Sequence, residues 1–363
     1  MDTGKDLFLY NRSILDAISY KRMLELEAAW ISELFESINS KSKTIKSRTE
    51  FQKAFDSFIA EERNAPSDDA DYISNQMTLD EFRIILQEFA VDGLTEAQSF
   101  FPIIPRLPIT AQMPVLRVLI DEFGCGNLQQ AHSKLYQELL IEVGMSTDIQ
   151  SYLDILNPES YAFLNIFFWL TKRAPNVEYF LGALAYLEDM FPFAIKCFVD
   201  ACQRLSIVNS KYYTEHIHID QFHAKDALRA LWEVESAVAI DYTKAWEGVQ
   251  IASLITAQAI EAALKKAKMS RAIEGINQAY NIASEPISAS PGYGSERFSV
   301  KLKGKEYLVP VACPHRRGKL DCGSFNEKNG TITCPLHFSK FDIASGKNLS
   351  GPAQISLDVV DLS

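Results

Sequence analysis

Three side chains able to bind a metal lie close together in the segment 213–223, which reads YTEHIHIDQFH. In a helix, which advances about 100° per residue, His216, Asp220 and His223 stand at i, i+4 and i+7 and point from one face. Imidazole and carboxylate groups are ligands that suit iron. The whole chain of 363 residues has six histidines, so this segment is strongly enriched in them. The spacing predicts part of a metal site, with His218 on the opposite face as a surface residue.

Further candidate ligands precede this segment. His132 is the first histidine of the chain and follows Glu122 by ten residues, while Glu188 lies in an apolar helical segment. A buried acid needs a cation or hydrogen bonds, so Glu188 is either a metal ligand or a satisfied core residue. On one ideal helix Glu122 and His132 would stand about 80° apart. We therefore expect the interruption at 124–126, Gly-Cys-Gly, to bring both side chains to the metal.

A second set of candidate ligands lies near the end of the chain, in the pattern C-x-H-x18-C-x2-H. Its members are Cys313, His315, Cys334 and His337. Two thiolates on one iron and two imidazoles on the other define the ligation of a Rieske [2Fe–2S] cluster. The same four side chains could instead hold zinc in a tetrahedral site.

The residues around this pattern resemble the Rieske ferredoxin family across nearly all of 296–363. The matching positions outside the ligands are Gly318, Leu320, Gly323, Phe341, Asp342, Gly346, Gly351, Pro352 and Ala353. The resemblance implies a bound [2Fe–2S] cluster that carries one electron at a time. Ser339 follows the second ligand pair, and we expect its hydroxyl to donate a hydrogen bond to the cluster.

The helical part, from about residue 80 to residue 265, resembles the haem-oxygenase-like diiron oxidases, which bind two non-haem irons. The resemblance depends on an E-x9-H pair, an L-E-x3-P segment and H-x3-D-x2-H. It implies that two iron ions are held by Glu122, His132, Glu188, His216, Asp220 and His223, with Glu188 bridging or chelating. Members that oxygenate nitrogen carry one more carboxylate about 26 residues before the first glutamate, and Glu96 occupies that position.

The pattern of apolar residues indicates two domains of different class. Helical periodicity dominates up to residue 283, and short β-rich runs follow residue 296. The segment 284–295 is rich in Pro, Gly and Ser, as linkers are. We predict an α+β multidomain chain: an all-α haem-oxygenase-like helical bundle (1–283), a linker (284–295) and a small antiparallel β Rieske domain (296–363).

Local signals refine the helical part. The sequence from Thr78 to Glu81 fits a capping box and predicts a helix over 79–101. Residues 1–40 contain an amphipathic pattern that includes Ile14 and Ile18. Cys125, Cys197 and Cys202 lie in helical patterns and are predicted to be buried thiols.

Composition excludes several other classes of function. The net charge of −11 argues against a nucleic-acid partner, which would need clustered Lys and Arg. The longest strongly apolar run, 161–170, is too short to cross a membrane. The first residues lack the pattern of a secretory signal, so we predict a cytoplasmic protein with reduced cysteines.

A fused electron carrier implies that the helical domain consumes electrons. The leading hypothesis is an O2-dependent N-oxygenase that converts a primary amine to a hydroxylamine, nitroso or nitro product. The amine would be an amino acid, a guanidine or an aminoheteroarene such as an aminoimidazole. The external donor would be a ferredoxin or flavodoxin reductase using NAD(P)H, and the resemblance favours a homodimer. Two alternatives stay open: oxidation of C–H or C–C bonds by the same irons, and a non-catalytic redox sensor.

Overall fold

The computed structural model describes residues 3–39, 43–282, 297–314, 319–334, 339–351, 353 and 356–362. The side chains of residues 39, 272–282 and 322 are not among those described. The chain divides into two compact units, the first formed by 1–142 with 147–271 and the second by 143–146 with 272–363. The predicted linker, 284–295, lies outside the described residues, so the domain boundaries stay a prediction.

The first unit is built from α-helices, as the sequence predicts. The α-helices are α1 (Thr3–Asn11), α2 (Ala17–Asn39), α3 (Arg48–Asn64), α4 (Asp68–Asn75), α5 (Leu79–Glu88), α6 (Ala90–Leu94), α7 (Ile109–Glu122), α8 (His132–Glu142), α9 (Pro158–Lys172), α10 (Glu178–Ala194), α11 (Lys196–Arg204), α12 (Lys211–Ala237) and α13 (Tyr242–Ile282). Short 3₁₀ helices connect some of them, at Gln98–Arg106, Gly124–Gly126, Leu128–Gln130 and Ile149–Ser151.

The predicted helix over 79–101 begins as expected and ends early. Thr78 and Glu81 form the capping box, in which each side chain accepts a hydrogen bond from the backbone of the other. The helix stops at Glu88, a short helix follows, and Ala97 takes a left-handed backbone with φ of 59°. The prolines at 102 and 105 then continue the chain in a 3₁₀ helix, because proline cannot donate to an α-helical hydrogen bond. The single-helix prediction is therefore wrong.

Helix α12 is central in the bundle, packing against α7 and α10. An ion pair between Arg117 of α7 and Asp226 of α12 crosses one of these contacts. Helix α10 in turn approaches α13 closely at Gly182, where an added Cβ would lie 1.9 Å from the carbonyl oxygen of Ala245. Only glycine permits that approach. These contacts fix the relative positions of the helices that carry the candidate ligands.

The amphipathic pattern near the start corresponds to two helices, α1 and α2, with a break between them. Ile14 lies in the break and is fully exposed, and Ile18 in the first turn of α2 is largely exposed. The apolar pattern therefore does not continue as one buried face through these two residues, because periodicity does not show where a helix is interrupted.

Described residues of the second unit form two small antiparallel sheets. The strands are β1 (Arg297–Leu302), β2 (Lys305–Pro310), β3 (Ser324–Asn326), β4 (Thr331–Thr333), β5 (Lys340–Asp342), β6 (Asn348–Ser350) and β7 (Val360–Asp361). Their orders are β1-β2-β7 and β3-β4-β5-β6. Val309, Leu320 and Phe341 lie in a core that also contains Cys313 and Cys334. This agrees with the predicted small antiparallel β domain.

No α-helix in the described part of the chain is both long and apolar enough to cross a membrane.

Candidate metal centres

Helix α12 brings its three predicted ligands into the interior of the bundle. His216, Asp220 and His223 are all buried, whereas His218 on the other face is exposed. The side-chain periodicity of the helix therefore produces the arrangement that the sequence predicts. Burial of two imidazoles and a carboxylate side by side is costly unless their charges are balanced within the site.

Glu122 and His132 lie on two different helices. Glu122 is the last residue of α7, and His132 is the first residue of α8. The turn between them has positive φ at Gly124, Cys125 and Gly126, which redirects the chain. Glu122 Oε2 and His132 Nδ1 consequently lie 2.7 Å apart. Because the interruption places Glu122 and His132 on separate helices, the two side chains are not held apart by the angle that one continuous helix would impose.

The same turn overturns one prediction about the cysteines. Cys125 is exposed and has φ of 53°, so its backbone is non-helical within the 3₁₀ segment 124–126 and its thiol is not buried. Cys197 and Cys202 are buried on α11, as predicted. Burial raises the pKa of each of these two thiols to about 12, which keeps them uncharged.

A first group of candidate ligands consists of Glu96, Glu122, His132 and His216. One ligand atom from each lies within 4.8 Å of every other. His216 Nε2 is 3.0 Å from Glu96 Oε1 and 3.0 Å from His132 Nδ1. The break after α6 places Glu96 in this group, since residue 96 lies in the turn before the 3₁₀ helix.

A second group consists of Glu122, Asp220 and His223, whose ligand atoms likewise lie within 4.8 Å of one another. His223 Nδ1 is 3.4 Å from Glu122 Oε1, 3.4 Å from Asp220 Oδ1 and 3.3 Å from Glu188 Oε2. Glu188 thus adjoins the second group. Glu122 belongs to both groups, with one oxygen near His132 and the other near His223. A carboxylate in that position is suited to bridge two cations.

Several buried atoms in these groups lack hydrogen bonds. Glu96 Oε2, Glu122 Oε2, Asp220 Oδ1 and His223 Nδ1 have no hydrogen-bond partner among the described residues, although each lies near other polar atoms. The 2.7 Å contact of Glu122 with His132 is an ion-pair distance without hydrogen-bond geometry. Buried polar atoms are normally satisfied, so this set fits bound metal cations. Oxygen and imidazole donors also suit iron chemically.

Neighbouring groups orient two of the imidazoles. His216 Nδ1 donates to the carbonyl oxygen of Tyr212 at 2.7 Å, which leaves Nε2 facing the first group. His223 Nε2 lies 3.4 Å from Asp121 Oδ2, which leaves Nδ1 facing the second group. Histidine ligands commonly donate their other ring N–H to a carbonyl or carboxylate in this way. Each ring therefore turns its other nitrogen toward the interior of the site, where that nitrogen can bind a metal once it has lost its proton.

The charges of the site shift the pKa values of its members. Burial lowers the pKa of His223, but Asp220 and Glu188 outweigh that effect and raise it to about 11. Burial, together with the charge of Asp220, raises the pKa of Glu188 to about 7. Burial lowers the pKa of His216, but Glu96 reverses the effect and raises it well above its ordinary value. Without metal, His216 and His223 therefore hold protons that compensate the carboxylates.

Three residues beside the site carry no metal-binding pattern in the sequence. Tyr212 donates from its hydroxyl to Glu96 Oε1 at 3.2 Å, and its ring packs on the imidazole of His216. Asp121 contacts His223 as described above. Burial, together with the charge of Glu96, raises the pKa of Asp92 to about 8. The sequence signal for Tyr212 and Asp92 is their i, i+4 spacing from His216 and Glu96.

In the second unit, Cys313 and Cys334 are buried. His315 and His337 lie outside the described residues. Ser339 is buried and its backbone carbonyl accepts a hydrogen bond from the Cys334 N–H at 2.8 Å. Its hydroxyl oxygen accepts from the Ala353 N–H at 3.1 Å, so the hydroxyl proton is directed elsewhere. Buried cysteines beside such a hydroxyl fit a [2Fe–2S] cluster whose sulfurs accept hydrogen bonds.

Comparison with known proteins gives a family match for each of the two regions that contain the candidate ligands. Residues 83–255 match the family of iron-containing redox enzymes with the haem-oxygenase-like fold, and residues 293–361 match the Rieske [2Fe–2S] domain. A stretch of 154 residues is 32% identical to the nitrosourea synthase of Streptomyces achromogenes subsp. streptozoticus. That stretch is 40% of this chain and 31% of the relative, so less than a third of the relative is covered. The family matches imply a diiron centre and a [2Fe–2S] cluster as cofactors. The chain therefore carries an oxidoreductase domain of the iron-containing redox enzyme family, followed by a Rieske [2Fe–2S] domain.

Proposed function

We propose that the chain is an O2-dependent diiron N-oxygenase that oxidises a primary amine. The observation that carries the proposal is the pair of ligand groups sharing Glu122, with Glu96 as an additional carboxylate in the first. One iron would be held by Glu96, Glu122, His132 and His216. The other would be held by Glu122, Glu188, Asp220 and His223. When bound, two ferrous ions would supply the electrons and Lewis acidity for activating O2.

The nitrosourea synthase supports a reaction on nitrogen. A nitrosourea carries an oxidised nitrogen, and the name of that relative assigns such a product to it. Glu96 adds a second line of support, because it occupies the position of the extra carboxylate that nitrogen-oxygenating relatives carry. The substrate class that follows is an amino acid, a guanidine or an aminoheteroarene. The first step balances as RNH2 + O2 + 2e⁻ + 2H⁺ → RNHOH + H2O.

The chain's own residues prepare the site for this chemistry. The aromatic rings of Phe191 and Tyr212 pack on the imidazole of His216, with ring centroids 5.1 and 4.6 Å away, and exclude water from it. Burial, together with the charge of Glu96, raises the pKa of Tyr212 well above its ordinary value. The phenol therefore keeps its proton and holds Glu96 Oε1 in place. A preorganised and dry site strengthens each electrostatic interaction inside it.

The Rieske domain would supply the electrons that each oxygenation consumes. Its cluster would be held by Cys313, His315, Cys334 and His337. Covalent fusion gives an electron donor a high effective concentration, so one donor serves repeated turnovers. The cluster would itself be reduced by an external ferredoxin or flavodoxin reductase using NAD(P)H.

Glu96→Ala tests the proposed reaction. We would assay the full chain, loaded with iron and supplied with a reductase, against panels of primary amines and matched amine-free acids. The variant should form less N-oxygenated product, measured by mass spectrometry with ¹⁸O2. The reason is that it lacks the Glu96 carboxylate, which would hold the iron of the first ligand group. Glu138→Gln on α8 is the control, since that carboxylate pairs with Lys134 outside both ligand groups.

Two outcomes would contradict the proposal. Oxidation of the amine-free acids by the wild-type enzyme, with no product from any amine, would indicate C–H or C–C oxidation instead. Absence of O2 consumption with every compound, in protein that carries iron in both domains, would indicate a redox sensor.

A further inference from the structure

A cavity of about 210 Å³ lies within the helical domain, between α1, α6, α9 and the 3₁₀ helix 98–106. This volume far exceeds the ~30 Å³ that one water molecule occupies in the liquid, so the cavity can admit a small organic molecule. One part of its wall is apolar and aromatic, and the other is polar. The lining residues are Phe8, Asn11, Arg12, Asp92, Thr95, Gln98, Ser99, Leu164, Phe167 and Phe168.

Asp92 connects this cavity with the candidate iron site. It lies four residues before Glu96, and its carboxylate interacts electrostatically with Glu96, His216 and Glu122 of the first ligand group. Thr95, which precedes Glu96 in the chain, also lines the cavity, so the cavity lies against the segment that carries Glu96.

The carboxylate of Asp92 is available to a ligand. Among the described residues it has no hydrogen-bond or ion-pair partner, although it is partly buried. The positive residue in the same wall, Arg12, is exposed to solvent and packs over the ring of Phe8 at 5.6 Å. Solvent screens the charge of Arg12 more strongly than that of Asp92. Asp92 is therefore the acidic group on the side of the cavity nearest Glu96, and because its pKa is raised to about 8, a bound cation would favour its ionised form.

We propose that this cavity binds the substrate of the helical domain and that Asp92 holds its cationic nitrogen group, which selects ammonium, amidinium or guanidinium compounds over neutral ones of the same shape. The proposal rests on the proposed function and names the substrate class of that same site. Phe167 and Phe168 would cover the apolar face of the compound, and Gln98 and Ser99 would hydrogen-bond its polar atoms. A cation beside Asp92 also offsets the nearby charge of Glu96 and so favours the ionised carboxylate.

Binding of two probes of the same shape tests this without turnover. We would titrate the iron-loaded full chain with methylguanidinium, which is a cation, and with N-methylurea, which is neutral, and follow the heat of binding. Methylguanidinium should bind at least tenfold more tightly. Asp92→Asn keeps the size of the side chain and should weaken methylguanidinium binding about 10- to 100-fold, because hydrogen bonds to a charged partner are lost. N-methylurea binding should stay unchanged.

Two further variants locate the effect. Ser99→Leu extends into the cavity and should weaken both probes, which keeps the proposal testable if Asp92→Asn fails to fold. Asp200→Asn changes an exposed aspartate on α11 and should change the affinity for neither probe. Equal affinity for the two probes, no saturable binding of methylguanidinium, or undiminished binding to Asp92→Asn would overturn the proposal. Selective methylguanidinium binding by a protein that oxidises no amine would instead refute the proposed function while leaving a cation site at Asp92.

Discussion

Glu122→Gln should disable both iron sites together, because Glu122 is the carboxylate shared by the two ligand groups. One of its oxygens lies 2.7 Å from His132 Nδ1 and the other 3.4 Å from His223 Nδ1. Loss of a charged partner costs about 1.5–3 kcal/mol. Since 1.4 kcal/mol corresponds to tenfold in affinity, each site should bind Fe(II) about 10- to 150-fold more weakly.

Glu188→Gln provides the contrast within the same site. Glu188 contacts His223 and is absent from the first group. This variant should therefore weaken the binding of one iron and leave the binding of the other unchanged. Anaerobic Fe(II) titration followed by Mössbauer spectroscopy separates the two irons from the [2Fe–2S] cluster. Glu138→Gln is again the control and should bind iron as the wild type does. If Glu122→Gln lost only one iron, or bound both with wild-type affinity, the shared-carboxylate interpretation would be refuted.

Three other perturbations follow from the structure. Because the pKa of His223 is about 11 and that of His216 is also raised without metal, iron binding must release protons. The apparent Fe(II) affinity should therefore rise about tenfold per pH unit for each proton released. Calorimetry in buffers of different ionisation enthalpy measures this release, and a result of no proton release would contradict the prediction. Asp121→Asn removes the carboxylate beside His223 Nε2 and should weaken the second iron about 10- to 100-fold, whereas an unchanged iron titration would show that Asp121 does not orient the ring. Gly182→Ala places a methyl group against the backbone of Ala245 and should destabilise the helical domain by about 1–3 kcal/mol in thermal or urea unfolding; wild-type stability would mean that α10 and α13 can separate freely.

Local sequence patterns predicted much of the candidate site. The spacing of His216, Asp220 and His223 depends only on helical geometry, which neighbouring residues determine. The Gly-Cys-Gly interruption correctly indicated a change of direction between Glu122 and His132. The capping box at Thr78 likewise marks a real helix start.

Features set by packing between distant segments were not predictable. The helix expected over 79–101 breaks after Glu88, and that break controls where Asp92 and Glu96 lie. No periodic pattern distinguishes such a break from a continuous amphipathic helix. The sharing of Glu122 between two groups depends on how α7, α8 and α12 pack, which periodicity does not fix. Cys125 also shows that helical periodicity does not predict burial reliably, since this residue lies in an exposed turn with positive φ.

The division of the chain was predicted from composition. The match to the Rieske domain begins at residue 293, inside the predicted linker 284–295, and the boundaries themselves stay a prediction. Cysteine and histidine spacing indicated the cluster ligands, because each pair must converge from one tight loop. Cys313 and Cys334 are buried as that role requires.

The iron content of the full chain, reconstituted without O2, tests the central claim most directly. The account predicts about four iron atoms per chain, two in a cluster with Rieske spectroscopic features and two in the helical domain. The two irons of the helical domain should be lost in the Glu122→Gln variant, whereas the [2Fe–2S] cluster should remain. A wild-type chain that holds only the two irons of the cluster, or zinc in place of that cluster, would contradict the account.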